Sequence, residues 1–231
     1  MKQSLNHVSI IMDGNNRWAK IKGISSREGH KEGVKKARLA VEFALENKIS
    51  YLTLFAFSTE NWLRDKAEVN DLISLFFDAL EEQTPKLIEE KVKLNFIGDI
   101  SRFNKKLIER IKKSTQETEK YNPQLNLIIA ASYGGKWDII NSINKTISEK
   151  KIIEFSENDL ERNLETKDFP EPDLIIRSGG EKRLSNFYLW QSCYSELYFS
   201  DKFWPDFDKT DLKKACADYF KRKRKFGAQS G

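Results

Sequence analysis

Six short apolar runs bounded by turn residues punctuate the chain, at His7 to Met12, Tyr51 to Phe57, Leu94 to Gly98, Leu125 to Ser132, Asp173 to Arg177 and Glu196 to Phe199. Runs of this length, rich in Val, Ile, Leu, Phe and Tyr, predict strands buried on both faces. Between them the apolar period changes to that of a helix. From Glu32 to Glu46, Val34, Ala37, Val41 and Leu45 share one face, and helical patterns recur over Asn104 to Tyr121 and Lys136 to Lys150. Strands alternating with helices predict an α/β fold, a single domain with a six-stranded, mainly parallel sheet flanked by helices. The segment Ala67 to Glu90 stands apart: Val69, Leu72, Ile73, Phe76, Phe77 and Leu80 make a stripe wider than a surface helix needs. It is either packed into the core or lines one side of an apolar tunnel, and Pro85 is expected to kink or end its first half.

No internal repeat, low-complexity tract or Pro/Gly linker divides the chain, so residues 1–231 read as one domain with residues 1–6 and 228–231 as flexible ends. With 39% hydrophobic and 32% charged residues it has the composition of an ordinary globular protein. The formal charge is +5, but 40 cations and 35 anions are mixed along most of the sequence. Charge alone therefore points to no nucleic-acid partner, and no nucleic-acid motif accompanies it. The one concentrated basic run, Lys221 to Lys225, ends a helical pattern, where cations suit the helix dipole; a membrane-facing role comes second. Cys193 and Cys216 lie in no C-x-x-C spacing, and with only His7 and His30 a zinc ligand set is missing, so the thiols are expected to be free in a reducing compartment. The first residues, MKQSLNHV, lack the apolar run of a signal peptide, and no stretch approaches the length of a membrane span. The expected location is the cytoplasm, with at most a peripheral contact at a membrane.

Three short motifs carry the chemistry. SIIMDGNNRW runs an apolar strand into Asp13 and then a helical pattern, which places Asp13 where a parallel strand hands over to a helix and backbone N–H groups point at anions. LIIRSGGEKRLSN repeats the design with Arg177 at the strand end and Arg183 and Ser185 beyond; arginines grip phosphate oxygens in a bidentate fork. FAFSTENW supplies Ser58, Asn61 and Trp62 after a third strand end, with Arg64 following. A carboxylate that suits magnesium and several arginines together suit two diphosphates.

In order and spacing, H-x-x-I-I-M-D-G-N-x-R-W, F-S-x-E-N-W and I-R-x-G-G-E-x-R-L-S-N-F make the chain resemble the cis-prenyltransferases, the bacterial undecaprenyl diphosphate synthases in particular, from about His7 to Gly227. The resemblance implies condensation of an allylic diphosphate, such as farnesyl diphosphate, with successive isopentenyl diphosphates, giving a long-chain polyprenyl diphosphate with new cis double bonds, undecaprenyl diphosphate for the cell-wall lipid carrier. It implies Mg²⁺ as cofactor, held by Asp13 with Glu196 assisting, and gives Asp13 and Asn61 the catalytic roles. Gly14, Asn15, Asn16, Arg17, Trp18, Ser26, Arg27 and His30 are implied at the allylic diphosphate; Ser58, Asn61, Trp62, Arg64, Arg177, Arg183 and Ser185 at isopentenyl diphosphate. It further implies a product tunnel along the Ala67 to Glu90 segment and a homodimer in which Arg224 to Gly227 approach the partner's site. Two diphosphates bring about six negative charges, which one Mg²⁺ with Arg17, Arg64, Arg177 and Arg183 matches on paper. The proton acceptor is not assigned. No Asp-Asp pair occurs, so the D-D-x-x-D device of the trans synthases is missing.

Three positions depart from the family pattern. Ser26 stands where the family has an arginine, and Arg27 follows it; if Arg27 swings into the vacated place it compensates in part. Asp65 replaces a proline after Arg64, and Asn16 replaces Gly or Arg. A short-chain cis-prenyl synthase, with Phe57, Phe76 or Phe77 blocking the tunnel, is the nearest alternative. A noncatalytic regulatory subunit is disfavoured because Asp13, Asn15, Arg17, Asn61, Arg183 and Glu196 occur together.

Overall fold

The structure, a computed structural model, describes residues 4–120, 122–149 and 154–223. In chain order these form β1 (His7–Ile11), α1 (Asn15–Lys22), α2 (Ser26–Glu46), β2 (Tyr51–Ser58), α3 (Lys66–Glu89), β3 (Val92–Ile97), α4 (Lys105–Thr118), β4 (Leu125–Tyr133), α5 (Gly135–Glu149), α6 (Glu157–Glu161), β5 (Leu174–Arg177), β6 (Glu196–Phe199) and α7 (Lys209–Lys221). All six expected strands are present in one sheet of order β3-β4-β2-β1-β5-β6. Every pairing in it is parallel, so "mainly parallel" becomes wholly parallel. β1 and β5 are buried at every position, as a sheet covered on both faces requires. Successive connections run to one side of β1 until β4, after which β5 joins β1's other edge. The crevice at the carboxyl ends of β1 and β5 is thus a topological switch point, where such sheets bind ligands.

Two local readings are corrected. α2 begins at Ser26 rather than Glu32, because Ser25 caps it: its hydroxyl accepts from Glu28 N at 3.2 Å while Glu28 Oε2 accepts from Ser25 N at 2.9 Å. Gly29 inside it is no breaker; a Cβ there would lie 2.6 Å from Asn15 O, so the glycine lets α2 approach the start of α1. Pro85 does not end α3, which continues to Glu89; Thr84 Oγ1 and Arg110 Nη2 both donate to the Leu80 carbonyl in the preceding turn, at 2.6 and 3.2 Å.

The amino end is tied down from Ser4: Tyr219 O–H donates to Ser4 O at 2.9 Å and Asn6 N–H to Asp173 Oδ2 at 2.8 Å. The Arg224 to Gly227 segment, the end of the basic run, Tyr121, Lys150 and residues 228–231 lie outside the described residues. One sheet face carries the larger core, packed by α2, α3, α4 and α7; the other carries a smaller aromatic cluster around Tyr133, Phe187 and Tyr188, with Trp137 of α5 against it. Among the described residues no helix is long and apolar enough to cross a membrane.

Candidate active site

Asp13 follows β1 at the switch point, and its backbone is clamped from three sides. Ser178 Oγ accepts from Asp13 N at 3.0 Å and donates to Asp13 O at 2.9 Å, and Trp204 N–H donates to the same carbonyl at 2.9 Å. Gly14 then takes φ 105°, a left-handed value, and a Cβ there would fall 2.5 Å from Phe203 Cδ1, so no side chain fits. α1 starts at the next residue, and Asn15 Nδ2 donates to Met12 O at 3.0 Å, holding the turn.

The arginines converge on this turn. Arg177, at the end of β5, has a side chain only 5% exposed; Nη2 donates to Asp13 Oδ2 at 2.9 Å, and Nη1 to Ser185 Oγ at 2.7 Å and to the Arg183 carbonyl. Arg17 reaches the same Oδ2 at 3.2 Å and Glu181 Oε1 at 3.5 Å, with its guanidinium 5.3 Å from the Phe203 ring. Arg183 pairs with Glu181, and Arg64 with Glu68 Oε1 at 2.7 Å, which also accepts from Asn16 Nδ2 at 2.8 Å. The paper match of charges therefore omits three carboxylates: Asp13, Glu68 and Glu181 stand against the four guanidiniums. Arginine's planar fork suits carboxylate and phosphate partners alike.

Below this polar mouth a cavity of about 590 Å³ runs down the sheet face between α2 and α3. Asp13, Asn15, Arg17, His30, Arg64, Arg177 and Arg183 line its entrance, and Leu54, Leu75, Phe76, Leu80, Leu94 and Leu127 its interior. Of the stripe on α3, Val69 and Leu80 are core, and Leu72, Phe76 and Leu80 line the cavity. At the entrance β2 carries an irregularity: Phe55 pairs with Ala130 and Phe57 with Ala131, leaving Ala56 as the extra residue, exposed and on the cavity wall. Bulges of this kind re-aim side chains beside sites. Beyond it Ser58 and Asn61 also line the cavity, with Asn61 Oδ1 accepting from Ser58 N at 2.8 Å.

Several expected site residues stand elsewhere. Arg27 has not moved into the place of the family arginine: it reaches Asp71 at 3.2 Å and Asp78 at 3.9 Å on the exposed acidic edge of α3. Ser26 O–H donates to Asn16 Oδ1 at 2.5 Å, outside the cavity lining. Trp18 N–H donates to Asp206 at 2.8 Å; Trp62 packs on Phe57 and Phe103 and donates to Ser132 Oγ at 3.0 Å. Both are anchors of the walls around the mouth. Ser185, at φ 49°, meets Arg177 and is absent from the lining, so its part is to hold that arginine.

Glu196 lies at the other end of the sheet. Its register partner is Leu174, level with Val8, so it is more than about 10 Å along the strands from Asp13, and it pairs with Arg222 Nη1 at 2.6 Å. Within one chain it is not a second carboxylate beside Asp13. His30 lines the entrance; its Nδ1–H donates to Ser26 O at 2.8 Å, and burial pushes its pKa down. The residues missed in the sequence are Ser178, Glu181, Glu68 and Phe203. Three had a signal: Ser178 and Glu181 sit inside the third motif, and Glu68 lies four residues after Arg64, at the start of a predicted helix.

Residues 11–227 match the family model described as "Putative undecaprenyl diphosphate synthase". The chain belongs to the undecaprenyl diphosphate synthase family of cis-prenyltransferases. It is 46% identical over 226 residues to an isoprenyl transferase of Nitrosomonas europaea, covering 97% of this chain and 86% of that one. It is 47% identical over 226 residues to a ditrans,polycis-undecaprenyl-diphosphate synthase, farnesyl-diphosphate specific, of Haemophilus influenzae, covering 96% and 94%. Among solved structures, a probable undecaprenyl diphosphate synthase from Campylobacter jejuni superposes with a TM-score of 0.82 at 36% identity, covering 98% of this chain and all of that one. A lavandulyl diphosphate synthase from Lavandula x intermedia, in complex with dimethylallyl diphosphate, gives 0.93, also at 36% identity, covering 97% and 98%. The protein is therefore an enzyme, a prenyl-group transferase of the cis type.

Proposed function

We propose that this cis-prenyltransferase condenses farnesyl diphosphate with successive isopentenyl diphosphates into a long-chain polyprenyl diphosphate, undecaprenyl diphosphate for the cell-wall lipid carrier. The observation that carries this reading is the junction of a cationic mouth with a long apolar cavity: diphosphate recognition at one end and room for hydrocarbon at the other. The farnesyl-specific relatives support the starter and the product class.

In this reading Arg17 and the first amides of α1 hold the allylic diphosphate, with Asp13 as the metal's carboxylate, while Arg177, Arg183, Ser58 and Asn61 hold and orient isopentenyl diphosphate. Leaving-group charge develops on the allylic diphosphate as its C–O bond breaks, and donors already aimed at it lower that barrier. Arg17, held on Asp13, is the donor so placed, while Arg177, fixed by Asp13 and Ser185, holds the second diphosphate steady beside it. The apolar wall shields the allylic cation from water until the double bond of isopentenyl diphosphate attacks; the proton then lost passes to the released diphosphate. His30 meets phosphate as a donor only when protonated, since Nδ1–H is already committed to Ser26 O.

Mg²⁺ fits the residues present. Both guanidinium contacts on Asp13 use Oδ2 and neither uses Oδ1, and among the described residues no cluster of three or more His, Cys, Asp or Glu could hold a metal alone. That matches a small hard cation bound by one carboxylate, waters and substrate phosphate oxygens. When bound, the ion neutralises and polarises the departing diphosphate. The same reading carries a homodimer, tested by the mass of the enzyme in solution. Incubation with farnesyl diphosphate and labelled isopentenyl diphosphate, with products resolved by chain length, tests the whole: a product limited to one or two additions would instead assign a short-chain synthase.

A further inference from the structure

The far end of the cavity differs from the rest of its wall. Leu72 to Leu87 mark one lining face of α3 over about 22 Å of helix. Near the end of that face two polar side chains join the lining, Arg38 from α2 and Gln83 from α3. Arg38 Nη2 pairs with Glu90 Oε1 at the carboxyl cap of α3, and its Nε donates to Glu42 Oε1 at 3.1 Å. The ion pair therefore ties α2 to α3 at the bottom of the gap they enclose. Arg38 Nη1, Gln83 Oε1 and Glu90 Oε2 are all buried without a hydrogen-bond partner, the only such concentration beside this cavity apart from Asn15 and Arg177 at its mouth, among the described residues.

An apolar chain advancing from the mouth gains by burial until it meets these groups. There, contact strips polar atoms of what hydration they keep and offers no hydrogen bond in return. Parting the two helices would break a partly buried ion pair and leave each charge alone. We propose that the Arg38–Glu90 ion pair, with Gln83, is a polar stop that closes the far end of the cavity and sets the length at which elongation ceases. The stop rests on the elongation reading above and names the residues that fix its product.

Purified full-length wild type and variants are given farnesyl diphosphate and labelled isopentenyl diphosphate, and products are compared at matched total turnover. Arg38→Met combined with Glu90→Leu removes the pair without stranding a charge, and its main product is expected to be longer by at least one isoprene unit. Gln83→Leu shifts the distribution the same way. Arg38→Lys keeps the charge pair and the wild-type length. Unchanged product length in a double variant that melts as a folded protein overturns the proposal, as does Arg38→Lys lengthening the product as far as the double variant. Should the double variant fail to fold, Gln83→Leu decides alone. A wild type that makes no polyprenyl product overturns the elongation reading and the stop with it, whereas wild-type product with unmoved variants overturns the stop only.

Discussion

On β2, Thr53 and Phe55 turn to one face of the sheet while Leu52 and Leu54 turn to the other, and the two faces fill their volume differently. Beside Phe55, Phe187 stacks at 4.6 Å and Tyr188 stacks on Phe187 at 4.1 Å, with Tyr133 edge-on to them. Polar groups buried there are bonded to one another: Thr53 Oγ1 lies 2.8 Å from His7 Nε2 and 3.1 Å from Tyr188 O–H, and Tyr133 O–H donates to Asp138 Oδ2 at 2.9 Å. Across the sheet, α2 and α3 stand off from Leu54, Leu94 and Leu127 and leave the cavity. One face is a filled, hydrogen-bonded backing; the other keeps open space, which the proposed function assigns to a hydrocarbon. The residues proposed for catalysis sit where both meet, at the strand ends, so the filled face supports a site that opens onto the other.

The largest expected effect separates chemistry from both faces. Asp13→Ala removes the carboxylate that Arg17 and Arg177 share and the only one proposed for the metal. Turnover should fall by far more than the tenfold that about 1.4 kcal/mol in the barrier would give, with allylic binding comparatively intact. Steady-state kinetics decide this, and a variant that keeps a tenth of wild-type kcat would remove Asp13 from the transition state. EDTA should stop wild-type turnover and Mg²⁺ restore it; metal-independent turnover would remove the metal.

Next comes a direct test of filled against open. Phe187 is completely buried between Phe55 and Tyr188, so Phe187→Ala should cost about 3–5 kcal/mol and lower Tm by on the order of 10 °C. Leu75, half-buried on the cavity wall, has fewer neighbours to lose. Leu75→Ala should cost no more than about half as much. Equal losses, measured by thermal or urea unfolding, would mean that the two faces are packed alike.

The filled face should also be sensitive to acid. His7 is satisfied as a neutral ring, Nδ1–H donating to Pro170 O at 2.7 Å and Nε2 accepting from Thr53, and burial lowers its pKa to about 4. An unfolded His titrates near 6.5, so below that pH the unfolded chain binds a proton that the native one refuses. The stability is full above pH 6.5 and is lost as pH falls toward 4, by about 3 kcal/mol overall and about 2 by pH 5. His30, also lowered by burial, adds in the same direction. Urea unfolding at pH 7 and pH 5 should show the drop, and His7→Gln should remove most of it; an unaltered pH slope in that variant would place the titration elsewhere.

On the open face, Ala56→Leu should shorten the product while the first condensation survives, because the bulge aims this small side chain at the cavity entrance. Unchanged product length in a folded variant would make Ala56 a bystander. The bulge itself was not legible in the sequence: Phe-Ala-Phe reads as plain alternation, and the register shift depends on how β4 pairs. The strands were legible because a parallel sheet buried on both faces writes continuous apolar runs, and the turn at Asp13 because Gly14 follows a strand and precedes a helix. What failed were long-range choices. Glu196 stands in a matching motif position, but only strand register reveals that it lies level with Val8. The start of α2 was hidden because Gly29 and Gly33 look like breakers until α1 is seen packed against them.

The smallest effect concerns Arg27, at the outer edge of the open face. A guanidinium free to swing would fill the place left by Ser26 and raise allylic affinity, yet here it is engaged by Asp71 and Asp78 on α3, with all three side chains about half exposed or more. Ion pairs that exposed contribute about 0–1 kcal/mol, so neither folding nor the mouth depends on this one. Arg27→Ala should therefore leave the KM for both substrates within about twofold of wild type, a change below roughly 0.5 kcal/mol. A rise confined to the allylic substrate would show that the arginine leaves the acidic edge when a diphosphate arrives. Asp71→Asn combined with Asp78→Asn sharpens the same question, since it frees Arg27: a lower allylic KM in that variant, abolished by adding Arg27→Ala, would show that α3 holds in reserve a cation the mouth can use.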